Sequence, residues 1–149
     1  MTNDNKLIIG WREWVSLPGL NIPRIKAKID TGARTSALHA FKVEGYVKNG
    51  EMRVRFSVHP YQKENDTVVE CDAPVVDYRY VTDSGGHKEK RYVIVTMLHV
   101  GEQEWEIEMT LTNRDTMKFR MLLGRTAMAK RLIVDPGKSY RLGRKSAKS

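Results

Sequence analysis

Six residues, Arg24-Ile25-Lys26-Ala27-Lys28-Ile29, alternate basic and apolar side chains and then deliver the turn Asp30-Thr31-Gly32-Ala33. The alternation is the period-2 signature of a half-buried strand, with Ile25, Ala27 and Ile29 on the inner face. Gly32 lets the backbone bend sharply where a Cβ would clash. The chain is thereby committed to a strand that ends in a carboxylate-bearing turn. From these residues two readings of Asp30 stay open: an ordinary Asx-turn, or a catalytic carboxylate.

The rest of the chain reads as mostly β. A strand is expected over Trp11 to Leu17, followed by the turn residues Pro18-Gly19 and Asn21 to Pro23. Phe41 to Val47 and Met52 to Val58 flank Lys48-Asn49-Gly50-Glu51, in which Asn-Gly is a strong hairpin signal. Val68 to Cys71 and Val75 to Val81 read as two strands parted by Asp72-Ala73-Pro74. Arg91 to Val100 and Glu104 to Leu111 form a hairpin about Gly101. In its second arm Trp105, Ile107 and Met109 alternate with Glu104, Glu106 and Glu108, which leaves one face acidic and exposed. Only Thr126 to Arg131 reads as helix, and a last strand is expected around Ser139 to Leu142. Short strands at this spacing point to an all-β sandwich or closed barrel.

At 149 residues, 40% hydrophobic and 30% charged, the chain suits one soluble domain with a real core. No apolar run approaches the roughly 20 residues of a membrane span, and the N-terminus lacks the order of a signal peptide, so a cytoplasmic setting is expected. The lone Cys71 cannot form an internal disulfide and reads as a structural thiol. The net charge is +8, and residues 141–149 carry four positive charges and no acidic one. Such a balance favours acidic partners. The expected layout is a flexible N-terminus over 1–7, one domain over 8–142 and a basic disordered tail over 143–149.

A second segment bears on Asp30. Phe119-Arg120-Met121-Leu122-Leu123-Gly124-Arg125 is an apolar run closed by Gly-Arg. An early Asp-Thr-Gly-Ala with a late apolar-apolar-Gly-Arg resembles the retropepsin-like aspartic proteases, in which the late segment packs beneath the catalytic loop. Ile9-Gly10-Trp11-Arg12-Glu13-Trp14-Val15 and Lys28 to Ala40 add a closer similarity. They resemble a bacterial family that carries the label ATP-dependent zinc protease and is regarded as retropepsin-like. That resemblance implies an all-β, retropepsin-like closed barrel with one short C-terminal helix.

Peptide hydrolysis by carboxylates needs two of them sharing one proton. Asp83-Ser84-Gly85 matches the letters of a second motif, but it leads into Gly86-His87-Lys88-Glu89-Lys90, which cannot be buried. It reads instead as a hairpin tip, and by position it resembles the flap that closes over substrate. The second carboxylate is then expected from a second copy of the chain, in a symmetric homodimer with the two Asp30 side chains at the axis.

The resemblance implies further roles. Asp30, Thr31 and Gly32 would be catalytic, with Thr31 bonding across the dyad. Ala33, Arg34, Ser84, Gly85 and Gly86 would meet substrate. Leu123 and Gly124 would support the loop, and Arg125 would be a buried cation bracing the dimer. Arg34 stands where retroviral relatives carry an acid, which unsettles the pairing of Arg125 and points a positive charge at the cleft. Relatives are also linked with ATP-grasp ligases that add glutamates to a ribosomal protein. An acidic peptide or a glutamylated ribosomal protein is therefore the expected substrate, with poly-α-glutamate foremost. Lys26, Lys28, Lys88 and Lys90 would add to the field if they faced the cleft.

Neither zinc nor ATP finds support in the residues. His39, His59, His87 and His99 lie far apart, and neither His-Glu-x-x-His, Cys-x-x-Cys nor a phosphate-binding loop occurs. No metal or cofactor is expected. His39, close behind the Asp30 segment, reads as a structural histidine. The rival reading is a non-catalytic basic β-barrel that binds RNA or the ribosome through Tyr78, Tyr80 and Tyr92 among Arg79, Lys90 and Arg91. Nucleic acid is the less favoured partner.

Overall fold

The computed structural model describes residues 6–61, 66–82, 85–113 and 118–143. Ser84, residues 1–5 and the tail beyond Gly143 lie outside them. The principal sheet begins with β2 (Arg12–Leu17) against β3 (Ile22–Ile29), which alternates as its sequence implies. A short strand, β10 (Met121–Leu123), lies beside β3 in parallel and beside β4 (Ser36–His39) in antiparallel fashion. The sheet then runs through β9 (Gln103–Thr112), β8 (Lys88–Val100), β7 (Val69–Thr82) and β6 (Glu51–Val58) to an edge at β5 (Phe41–Lys48). Separately, β1 (Leu7–Gly10) pairs in parallel with β11 (Leu132–Asp135).

The nine-stranded sheet curls until β2 meets β8 at one bridge, Ser16 opposite His99. The mostly β architecture with one short helix is as expected. β8 pairs with β7 through its first half and with β2 near its end, so the strands from β2 to β8 return on themselves while β7, β6 and β5 run on to a free edge at β5. Ile9, Leu17, Ile25, Leu38, Leu98 and Met121 are among the fully buried side chains inside the curl.

Several expectations meet their physical cause here. Asn49 and Gly50 both take positive φ, 53° and 81°, the conformation a two-residue hairpin turn demands. On β9, Trp105, Ile107 and Met109 are buried, and Glu104, Glu106 and Glu108 are exposed. The two strands expected around Pro74 are one strand, β7. Its pairing with β6 ends at Pro74 and its pairing with β8 begins at Val75, so the residue without an N–H sits at the hand-over.

Three boundaries need correction. Leu7, placed in the flexible N-terminus, is the first residue of β1, held by its N–H to Arg131 O at 2.9 Å. The helix, α1, is the single turn Arg125–Met128 and not Thr126 to Arg131, because Ala129 is extended and Lys130 takes φ 68°. The last strand is β11, and 139–142 forms turns instead. Those turns are tied down by Glu13, a fully buried carboxylate that accepts from the N–H groups of Gly10, Arg141 and Leu142 at 2.7, 2.8 and 3.2 Å.

Candidate active site

Asp30 follows the last residue of β3, and β10 runs directly beside it, with Leu123 opposite Ile29. Its N–H donates to Leu123 O at 2.9 Å, and the Ala33 N–H donates back to Asp30 O at 3.1 Å. Gly32 N–H donates to Asp30 Oδ1 at 3.1 Å, so the Asx-turn forms. That turn does not consume the carboxylate. It uses Oδ1, takes no part in holding Oδ2, and leaves the side chain half-buried.

Support for the loop comes from the segment after β10. A Cβ on Gly124 would stand 2.7 Å from Thr35 C and 2.8 Å from Thr35 O, so only glycine lets the two backbones approach this closely. Gly124 N–H donates to Ser36 Oγ at 3.0 Å, and Arg125 N–H donates to Ala33 O at 2.8 Å. Arg125 Nη1 reaches Thr31 O at 3.3 Å and Gly32 O at 3.0 Å. In the single chain Arg125 is exposed, and its partners are carbonyls of the surface loop. Thr31 is likewise exposed.

A cleft of about 530 Å³ opens over the loop. Asp30, Gly32, Ala33 and Arg34 line one side, and the β7–β8 hairpin lines another through Arg79, Val81 and Arg91. Asp30 is the one carboxylate among the described residues lining it. Arg91 is nearly buried, its Nε donating to Glu89 Oε1 at 2.7 Å and its Nη1 to Thr110 Oγ1 at 3.2 Å. Thr110 Oγ1 donates to Ser36 O at 3.1 Å, so a hydrogen-bonded chain links the hairpin to the strand beneath the Asp30 loop. Arg79 pairs with Asp77 at 2.9 Å and Glu108 at 3.5 Å, and its hydrogen bond holds the Asp77 carboxyl below the usual range. Arg34 is exposed and joins no ion pair among the described residues.

The structure thus brings Asp30, Gly32, Ala33 and Arg34 together and sets Leu123, Gly124 and Arg125 behind them. Gly85 and Gly86 are exposed at the hairpin tip and do not line the cleft. Lys26, Lys28, Lys88 and Lys90 do not line it either. His39 is buried in β4, away from the opening. The sequence reading missed Arg79 and Arg91 as cleft residues. The signal was present in the pleat: Arg79 opposite Arg91 turns one way, and Tyr78 opposite Tyr92 turns the other. Of the surface drawn for an RNA-binding barrel, Tyr78 and Tyr92 stack with Lys90 over Tyr78, whereas Tyr80 lines the cleft with Arg79 and Arg91.

Among the described residues no three His, Cys, Asp or Glu side chains group as a metal site would require. No helix among them is long and apolar enough to cross a membrane.

A curled sheet that carries one Asp-Thr-Gly loop, propped by a late apolar strand and faced by a long hairpin, defines a retropepsin-like protein. The comparisons agree. A family model described as "Retropepsin-like aspartic endopeptidase RimB" matches residues 8–145, and the chain belongs to this RimB-like family. It is similar to a probable alpha-L-glutamate ligase of Shewanella pealeana, 48% identical over 143 residues that make up 96% of this chain and 31% of the relative. A probable alpha-L-glutamate ligase of Desulfotalea psychrophila is 49% identical over 144 residues, 97% of this chain and 31% of the relative. The chain spans under a third of the length of these relatives. In structure it resembles a Legionella pneumophila protein of unknown function, with a TM-score of 0.76 and 27% identity over 91% of this chain and 98% of that one.

Proposed function

We propose that this chain is an aspartic peptidase whose active site forms when two copies bring their Asp30 loops together, and that it hydrolyses acidic peptides, α-linked glutamate chains foremost. The observation that carries the reading is a half-buried carboxylate, held in its turn over a cleft where it is the one acid among the described lining residues. Across a two-fold axis the pair would share one proton, since two like charges about 3 Å apart resist joint ionisation. The ionised carboxylate takes a proton from water, whose oxygen attacks the scissile carbonyl carbon. The neutral carboxyl gives its proton to the carbonyl oxygen. The carboxyl that took the water's proton gives it to the nitrogen as the C–N bond breaks, the other carboxylate takes a hydroxyl proton from the collapsing adduct, and the amine leaves with the pair again singly protonated.

Support for an acidic substrate is electrostatic. Arg34 stands at the cleft without a carboxylate partner among the described residues, and the chain as a whole is +8. Arg79 and Arg91 are already matched by acids of their own chain, so Arg34 is the cation to meet substrate. The ligase name of the relatives fits the same reading, because two-thirds of their length lies outside the matched region and a glutamate-adding unit would supply such a chain.

The test is a mixing experiment on an oligoglutamate substrate. Asp30→Asn alone should be inactive yet folded. Added in excess to wild-type protein, it should draw wild-type chains into inactive mixed dimers and suppress activity as it titrates in. Full wild-type activity at any excess of the variant would refute a shared dyad. Unchanged preference for acidic over neutral peptides in Arg34→Ala would refute the specificity role.

A further inference from the structure

Away from the cleft, the outer face of β2 and β3 carries rings and cations in alternation. Arg24 lies over Trp14 at 4.8 Å and reaches Tyr61 at 5.8 Å. Lys26 lies between Trp14 at 5.2 Å and Tyr140 at 5.6 Å. Arg12 continues the series, over Tyr140 at 4.9 Å and Trp11 at 4.6 Å. The β2–β3 register sets this order, with Trp14 opposite Lys26 and Arg12 opposite Lys28. All of these rings and cations except Lys28, which is exposed, are half-buried. None lines the cleft.

Among the described residues the strip lacks counter-charge. Arg53 and Arg55 share Asp72, Arg79 takes Asp77, and Arg91 takes Glu89. Arg12, Arg24, Lys26 and Lys28 join no ion pair among the described residues, although Arg12 Nε donates to Ser139 Oγ at 3.2 Å. Four cations without counter-charge among the described residues attract a polyanion, and the rings pack against three of them. An acidic peptide would use the cations alone. A nucleic-acid strand uses both parts, because phosphates meet the charges and each base offers a π-face to a ring or a guanidinium plane.

We propose that this face is a binding site for single-stranded nucleic acid, RNA in the first instance, separate from the Asp30 cleft and independent of whether that cleft is active. Binding should be weak to moderate and salt-dependent. With three ring-held cations neutralising phosphates, log K should fall against log salt with a slope of about −2, at roughly 0.7 per contact.

Fluorescence anisotropy with a labelled twelve-nucleotide RNA, over a salt series, reads this out, and intrinsic tryptophan fluorescence should quench on binding. Arg24→Ser with Lys26→Ser should flatten the salt slope by about 1.4. Trp14→Leu should weaken binding about tenfold, within the range of one lost base–ring stack. Both variants are checked for native circular dichroism, with Trp14→Phe as the conservative control that keeps a ring. Asp30→Asn should bind RNA like the parent. Failure to bind RNA at 50 mM salt would overturn the proposal, as would binding indifferent to the Arg24/Lys26 pair. Displacement by oligoglutamate of equal charge, with no tryptophan quenching and no effect of Trp14→Leu, would overturn it in favour of an acidic protein partner.

Discussion

Gly124→Ala isolates one contact on which the candidate site depends. The backbone at Gly124 is extended, φ −93° and ψ 176°, so alanine suffers no conformational penalty there. Its cost is steric alone. The new Cβ would meet Thr35 C at 2.7 Å, Thr35 O at 2.8 Å and Ser36 N at 3.0 Å. All three are backbone atoms, of Thr35 and of Ser36 where β4 begins, and none can swing aside as a side-chain tip would. Overpacking costs about 1–3 kcal/mol where neighbours can adjust, and fixed backbone places this case at about 3 kcal/mol. For a chain of this size that is a fall in Tm of about 6–12 °C. Urea denaturation with unchanged m-value, together with calorimetry, measures it. Gly50→Ala is the control: its φ is +81° with nothing within 4 Å, so its cost is backbone strain of about 1 kcal/mol. A Gly124→Ala protein that melts with the wild type would show that Gly124 and Thr35 are not in contact as described.

Two further tests probe buried groups outside the cleft. Glu13→Gln replaces a carboxylate that satisfies three backbone N–H groups with an amide whose NH2 must face one of them. It should cost about 2–4 kcal/mol in urea titration and speed proteolysis within 139–143, and wild-type behaviour in both would refute the latch. Burial, with a smaller contribution from Glu70, pushes the Cys71 thiol up from 9.0 to about 12. The folded state therefore keeps a proton that the unfolded chain releases above pH 9, and the contribution to stability is lost as pH climbs from about 9 toward 12. Native protein at pH 8 should resist a thiol reagent that reacts at once in urea, and Cys71→Ala should lessen the alkaline loss.

What could be read from the sequence was local. The Asp30 strand, the Asn49-Gly50 turn and the acidic face of β9 each announce themselves within a few residues, because one side of each meets water and the pleat does the rest. β4 gives no such sign. Ser36, Ala37, Leu38 and His39 are all buried, with partners on both edges, so no alternation exists to find. β1 and β11 join residues more than a hundred positions apart, and no local pattern foretells that. Arg79 and Arg91 look like surface arginines in the sequence. Which face they take is fixed by the irregularity between Val75 and Asp77, where β7 changes partner.

The same division explains why half a site can be well formed. Asp30 is seated by Leu123 O, by the Gly32 N–H and by the Ala33 N–H, and Arg125 clamps the carbonyls of Thr31 and Gly32. All of these partners belong to one chain. If two such loops meet at an axis, as proposed, association need not order them, because their rotamers and backbone are already fixed. The affinity of one copy for another would then be set by the surfaces that touch and not by folding of the loop. Arg125 so acts before any partner arrives. Its substitution should loosen the loop in the single chain, which separates it from a cation whose only task is to hold two chains together.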